Sequence, residues 1–218
     1  ILEQKFRLGL FENPYVDPAA AAELVGNADF LQQGEAAQRR SLVLLENKDA
    51  LLPLAAGGKK VFLHGIAAEA ASQAGFTVVE SLDDADLAIV RAATPYQLLH
   101  PNYPFGAVQH EGDLDFKPGD ATLQAIEAAA ARVPVIVTVM LDRPAILTNV
   151  KPLVAAMFGD FGISDAALLD VITGKASPEG KLPFELPSSM EAVRSQLSDV
   201  PYDSNQPLYP FSYGLRYP

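Results

Sequence analysis

Five short apolar runs, each continuous at its centre and each set apart from the next by polar or helix-patterned sequence, constrain this chain more than any other feature. They are KVFLHG from Lys60, FTVVES from Phe76, DLAIVRAA from Asp86, VPVIVTVML from Val133 and PLVAAMFGD from Pro152. A strand with one wet face alternates apolar and polar residues, so unbroken apolar centres imply cover on both faces. The gaps supply the covering helices. ATLQAIEAAAAR places Leu123, Ile126 and Ala130 on one face behind a capping Asp120, and SDAALLDVIT starts at a capping Ser164 and stops before Gly174. The pattern predicts an α/β fold, a three-layer αβα sandwich around a mainly parallel, doubly wound, flavodoxin-like sheet.

Residues 1–58 read differently. The opening ILEQKFRLGLFENPYVDP has apolar Ile1, Leu2, Phe6 and Leu8 with no capping residue ahead of them, so the chain is expected to begin inside a helix, as a piece of something longer. Asn13, Pro14 and Pro18 break that helix, an Ala-rich helical stretch follows, and GEAAQRRSLVLLENKD runs from helix into a short apolar segment. The small residues Ala55 to Gly58 mark the expected boundary. This gives an exit helix and connection at 1–58 and an α/β domain at 59–218.

Charge and composition exclude classes of partner. Sixteen Lys and Arg against twenty-seven Asp and Glu leave a formal net charge of -11, which repels phosphate backbones and anionic lipid surfaces, so neither nucleic acid nor membrane is an expected partner. No apolar run approaches the roughly 18 to 20 residues of a membrane helix. The 218 residues include no cysteine, which removes disulfides, thiolate zinc sites and cysteine nucleophiles but is compatible with both cytoplasm and export. Localisation is therefore left open.

Ligands of doubly wound sheets sit at the carboxyl ends of strands, and three loops qualify. HGIAAEA, after the first run, supplies only Gly65 and no lysine, so no nucleotide cofactor is expected and His64 reads as a strand-end histidine. No G-x-S-x-G elbow occurs either. The second loop takes 28 residues, from Ala93 to Asp120, and long loops in compact domains often carry function. It gathers His100, His110, Glu111, Asp113, Asp115 and Asp120. EGDLDF lacks the tight array and terminal bidentate Glu of a calcium loop, so no metal site is expected. Asp115 and Asp120 read as loop and helix N-terminal charge. On spacing alone Glu111, between His110 and Gly112, is open to both a catalytic and a solvated reading. The third loop, GDFGIS, has Gly159 and Gly162 for a tight turn, and its Asp160 is expected to share the crevice.

Several segments, taken in order, carry a family pattern: KFRLGLFENPY, SLVLLENKDALLPL, DRPAIL, DAALLDVITGKASPEGKLPFELP and LYPFSYGLRY. The chain resembles the C-terminal α/β sandwich domain of glycoside hydrolase family 3, nearly end to end. GKASPEGKLPF and YPFSYGLRY are the most specific parts, because generic α/β patterning does not explain their Gly and Pro positions. Glu46, where the family more often has LLKN, and Ser212, where it usually has Gly, depart from the pattern outside the candidate site.

The resemblance implies a retaining, exo-acting β-glycosidase, foremost a β-glucosidase, whose aspartate nucleophile lies on an N-terminal (β/α)8 barrel absent from these residues. It implies that the sandwich domain lends a general acid/base across the domain seam, and HEGDLDF stands in the corresponding place. Glu111 is then the candidate acid/base, with His110, Asp113 and Asp160 as substrate-binding residues. Asp113, if it points inward, is the neighbouring carboxylate that helps the acid keep its proton. The implied partners are a β-linked glycoside and the barrel of the same parent chain. The isolated piece is expected to be inactive and to self-associate through apolar surface. The alternative is a non-catalytic domain that shapes the substrate pocket and stabilises the barrel.

Overall fold

The computed structural model describes residues 1–55 and 57–217. Ala56, within the stretch 55–58 read as a boundary, and Pro218 lie outside the described residues. The chain divides into two compact units, 1–36 and 37–218.

The first unit is helical. Helix α1 spans Leu2–Arg7, and α2, Pro18–Leu24, starts where the Asp17 carboxylate accepts the Ala19 N–H at 2.9 Å, with Pro18 at the first helical position. Helix α3, Ala28–Ser41, runs on into the second unit. None of the three buries a residue, and Phe6, Leu8, Phe11, Tyr15 and Val16 are exposed.

The second unit holds one six-stranded sheet. Its strands are β1 (Val43–Asn47), β2 (Lys60–His64), β3 (Thr77–Val79), β4 (Leu87–Ala93), β5 (Val135–Met140) and β6 (Ala156–Asp160). The spatial order is β1-β6-β5-β4-β2-β3, parallel throughout except for β1, which pairs antiparallel with β6. The five parallel strands correspond to the five apolar runs and follow the flavodoxin-like order, with the switch point between β2 and β4.

Burial alternates strictly. Ala88, Val90, Ala92, Val135, Val137 and Val139 join a core beneath helix α5 (Ala121–Ala130), while Leu87, Ile89, Ile136, Ala156 and Phe158 join a second core beneath α4 (Ala68–Gln73) and α6 (Asp165–Ile172). These are the two dry faces that the unbroken runs require. The caps are as expected: Asp120 accepts the Leu123 N–H at 2.9 Å, Ser164 accepts from Ala167 at 3.2 Å, and Gly174 has φ 76 just past α6. On α5 the third buried residue is Ala129, with Ala130 half-buried, because the helix turns its 3-residue spacing to the sheet.

Strand β1 lies in the stretch read as connection. Leu42, Val43, Leu44 and Leu45 are fully buried, and at about 1.5 to 3 kcal/mol each this is on the order of 10 kcal/mol of transfer free energy, which ties the strand to the sheet. The C-terminal segment then closes over it. Leu215 N–H donates to Leu44 carbonyl at 2.8 Å and Gly180 N–H to Leu42 carbonyl at 3.0 Å. A Cβ on Gly180 would stand 2.5 Å from the Leu42 carbonyl oxygen, and one on Gly214 would stand 2.5 Å from that of Gly180. Three backbones pass within hydrogen-bonding distance here, which accounts for those two glycines. Glu46 is occupied too: it accepts the Tyr209 hydroxyl at 2.7 Å and pairs with Lys151 at 2.9 Å.

Candidate active site

Two of the three loops at the carboxyl edge of the sheet are tied to each other. Arg91, on β4, donates to Asp165 at 2.9 Å and to the Ile163 carbonyl at 3.2 Å, and Asp165 also accepts the Ala67 N–H at 2.9 Å. The turn after β2 and the turn after β6 are thereby closed around the switch point. Asp160, expected to face a ligand, is fully buried instead: Thr138 donates to one carboxylate oxygen at 2.5 Å and the Gly162 N–H to the other at 3.0 Å, with Arg91 at 4.0 Å. It serves the turn, because the neighbouring strand β5 supplies its hydroxyl partner. His64 is exposed at the end of β2.

The loop after β4 gathers most of the other titratable groups at this edge, and its backbone is well held. Thr94, almost fully buried, shares its hydroxyl between the Met140 and Arg143 carbonyls at 3.0 Å each. The Gln97 N–H donates to the Glu111 carbonyl at 2.8 Å and folds the loop back on itself. Gly112 follows with φ 75, and a Cβ there would strike the Gln97 side chain, so the residue after Glu111 has to be glycine. Leu114 and Phe116 plug the core, and the Ile146 N–H donates to the Leu114 carbonyl at 3.0 Å. Across the loop lies Arg143, whose guanidinium donates to the carbonyls of Pro95, Gly112 (3.0 Å) and Asp113 (3.4 Å).

This scaffold presents three acid groups in different company. The Glu111 side chain is 27% exposed, and both its oxygens stand 3.0 Å from Nδ1 of His100. His110 bonds through Nδ1 to Asp142, after β5, and stacks on Tyr96 with ring centroids 3.9 Å apart. Asp113 turns from Glu111 toward cations: it binds Lys117 and, at 3.3 Å, Arg194 of helix α7 (Met190–Ser195). The Lys117 hydrogen bond, with the charges of Lys117 and Arg194, holds the Asp113 carboxyl below the usual range despite some desolvation. It therefore stays ionised as the partner of those cations. Asp115 is half-buried with its Oδ1 enclosed, and Asp120 caps α5.

Two half-buried carboxyls each meet one imidazole here, Glu111 with His100 and Asp142 with His110, and Glu111 is the one carried by the clamped loop after β4. Such a group can pass a proton to or from a ligand at the sheet edge. Sequence reasoning named Glu111 and His110 but not the residues that position them: Arg143, Asp142, Tyr96 and, as the partner of Glu111, His100. The available signal was DRPAIL, an aspartate and an arginine immediately beyond a strand.

Comparison with known proteins places these features. The model of the glycosyl hydrolase family 3 C-terminal domain matches residues 76–217. The chain is 52% identical over 215 residues to the periplasmic β-glucosidase/β-xylosidase of Dickeya chrysanthemi, covering 99% of this chain and 33% of that protein. It is 41% identical over 219 residues to the probable β-glucosidase C of Aspergillus flavus, covering 100% and 34%. In fold it matches the crystal structure of β-glucosidase from Listeria innocua in complex with gluconolactone, with a TM-score of 0.76, 20% identity, and cover of 99% of this chain and 37% of that chain. The chain spans about a third of the length of the curated relatives it matches.

Proposed function

The chain belongs to the glycosyl hydrolase family 3 C-terminal domain family, and from that premise we propose that it is the acid/base-bearing domain of a retaining, exo-acting β-glycosidase, with Glu111 as the general acid/base. A preceding (β/α)8 barrel of the parent chain carries the aspartate nucleophile. The substrate is a β-glucoside or β-xyloside, in keeping with the names of the relatives and with a neutral sugar for a protein of net charge -11.

The observation that carries this reading is Glu111 itself: a partly exposed carboxyl beside one imidazole, on a loop fixed by Arg143, at the sheet edge where its neighbours Asp113 and Asp160 are already committed to other partners. Retention requires two carboxyl groups about 5 to 5.5 Å apart, one attacking the anomeric carbon and one protonating the departing oxygen and then activating water. Glu111 takes the second part, His110, stacked on Tyr96, is a substrate-binding residue of the same loop, and Asp113 and Asp160 support the loops.

In the full-length parent, Glu111→Gln should lower kcat/KM for alkyl glycosides by roughly 100- to 10,000-fold, and far less for dinitrophenyl glycosides, whose leaving group needs no proton. An equal, small loss on both substrates would leave the second reading, a domain that only shapes the pocket and braces the barrel. That reading is favoured by the exposed apolar side chains Leu98, Tyr103, Phe105 and Phe161 along this edge. The same side chains underlie the expected self-association of the separated domain.

A further inference from the structure

The carboxylates of this edge differ in what holds them. Asp113 faces Lys117 and Arg194, and Asp165 faces Arg91, all cations that donate only. Asp142 meets His110 through one oxygen, while that imidazole is pinned by its stack on Tyr96. Glu111 alone among these four is met symmetrically, with Nδ1 of a single, largely exposed imidazole 3.0 Å from Oε1 and 3.0 Å from Oε2.

That geometry suits a carboxyl that changes its protonation state in the course of the reaction. In a retaining cycle the acid/base loses a proton in the first half and regains one in the second, so it has to be oriented with the proton on and with it off. A permanent cation at this place would favour the ionised form throughout. A neutral imidazole in its Nδ1–H tautomer donates to a carboxylate oxygen in one state and to the carbonyl oxygen of the acid in the other. Because His100 is equidistant from both oxygens, it can engage either and leave the other aimed outward, toward the departing oxygen or the attacking water.

Resting on the reading of Glu111 as the acid/base, we propose that His100 is its positioning residue, an imidazole N–H donor equidistant from both oxygens that orients the carboxyl through both halves of the cycle. His100 acts through Glu111 and makes no bond to the reacting atoms. The other charged groups nearby are spoken for: His110 by Asp142, Asp113 by Lys117 and Arg194, and the Arg143 guanidinium by three backbone carbonyls.

The test uses the full-length parent and four variants, His100→Leu, His100→Ala, His100→Asn and Glu111→Gln. The side chain is 66% exposed, so its replacement disturbs little packing. A carboxyl turned away from its target should lose roughly ten- to a hundredfold in kcat/KM for alkyl glycosides in His100→Leu and His100→Ala, with kcat/KM for dinitrophenyl glycosides spared, because kcat/KM reports the bond-breaking step and not the later attack of water that both substrates share. His100→Asn, which restores a neutral N–H donor at similar reach, should recover most of that loss. Equal losses on both substrates, or an Asn variant no better than Leu, would mean that His100 merely packs the loop and would overturn the proposal. Glu111→Gln separates the two readings: if it lacks leaving-group dependence, the acid/base reading fails and takes His100 with it. If it shows that dependence while His100→Leu does not, only the role of His100 falls.

Discussion

Replacing Tyr209 with Phe gives a sharp test of how the C-terminal segment is fastened to the sheet. Tyr209 is 1% exposed, and its hydroxyl donates to Glu46 at 2.7 Å, on the strand that the C-terminal segment covers. A hydrogen bond to a charged acceptor contributes about 1.5 to 3 kcal/mol, and the lower end applies because Glu46 keeps Lys151 at 2.9 Å. Near neutral pH the Phe variant should therefore be less stable by about 1.5 kcal/mol. With a urea m-value of about 2 kcal/mol/M, the unfolding midpoint falls by somewhat under ~1 M. The chain has no tryptophan, so far-UV circular dichroism is the suitable probe.

The pH dependence makes the prediction specific. Burial first, then the hydrogen bond and charge of Glu46, push the Tyr209 phenol well above its ordinary value of 10.0. A group whose folded value is raised contributes stability that is fully present below its unfolded value and is lost as pH climbs toward the folded one. At about pH 11 an unfolded tyrosine has ionised while Tyr209 in the fold has not, which favours unfolding of the native protein by about 1.4 kcal/mol. The phenyl ring of the variant has no proton to lose. The gap between the two proteins should therefore shrink by about 1.4 kcal/mol between about pH 8 and pH 11, nearly closing, while all other titrations cancel in the difference. A gap that stays constant across that range, or no gap at about pH 8, would refute the account.

Two further perturbations probe the close backbone crossing and the loop clamp. Gly180→Ala puts a Cβ 2.5 Å from the Leu42 carbonyl oxygen and 2.7 Å from its carbon. Leu42 is fully buried next to β1 and its carbonyl already accepts the Gly180 N–H, so it has little room to give way; a loss of about 1 to 3 kcal/mol, read as a lower melting temperature, is expected, and an unchanged Tm would contradict the packing described. Arg143→Lys keeps the charge but loses the fork that spans three carbonyls. Limited proteolysis followed by mass spectrometry should find cleavage within 94–113 roughly tenfold faster, with far-UV circular dichroism unchanged; equal cleavage rates would show that the loop is held by other contacts.

Five strands, both covering layers and the caps at Asp120 and Ser164 were legible because they rest on local regularities: an unbroken apolar run means two dry faces, and a short polar side chain ahead of a periodic segment means a helix start. Strand β1 was not legible as a member of the sheet. LVLL states only that it is buried, and its pairing of Val43 with Gly159 joins segments far apart in the chain. The glycines at 180 and 214 could be noticed in sequence but were explained only by the three backbones that meet there.

At the candidate site the same division holds residue by residue. The length of the loop after β4 and the carboxylate at its end pointed to Glu111 from sequence and family resemblance together. Asp113, two residues on, and Asp160, at the end of β6, are as acidic and could not be told from it, because what a carboxylate does depends on its neighbours. Arg194 reaches Asp113 from 81 residues away, Thr138 reaches Asp160 from 22, and His100 reaches Glu111 from 11. By itself the sequence determined the layers, the order of strands and helices and the loop that holds the candidate site, since hydrophobic periodicity reports burial one segment at a time. Only the tertiary structure decided which carboxyl stays available and which are committed to cations or closed inside a turn, since electrostatic company is set by contacts between segments that no local pattern records.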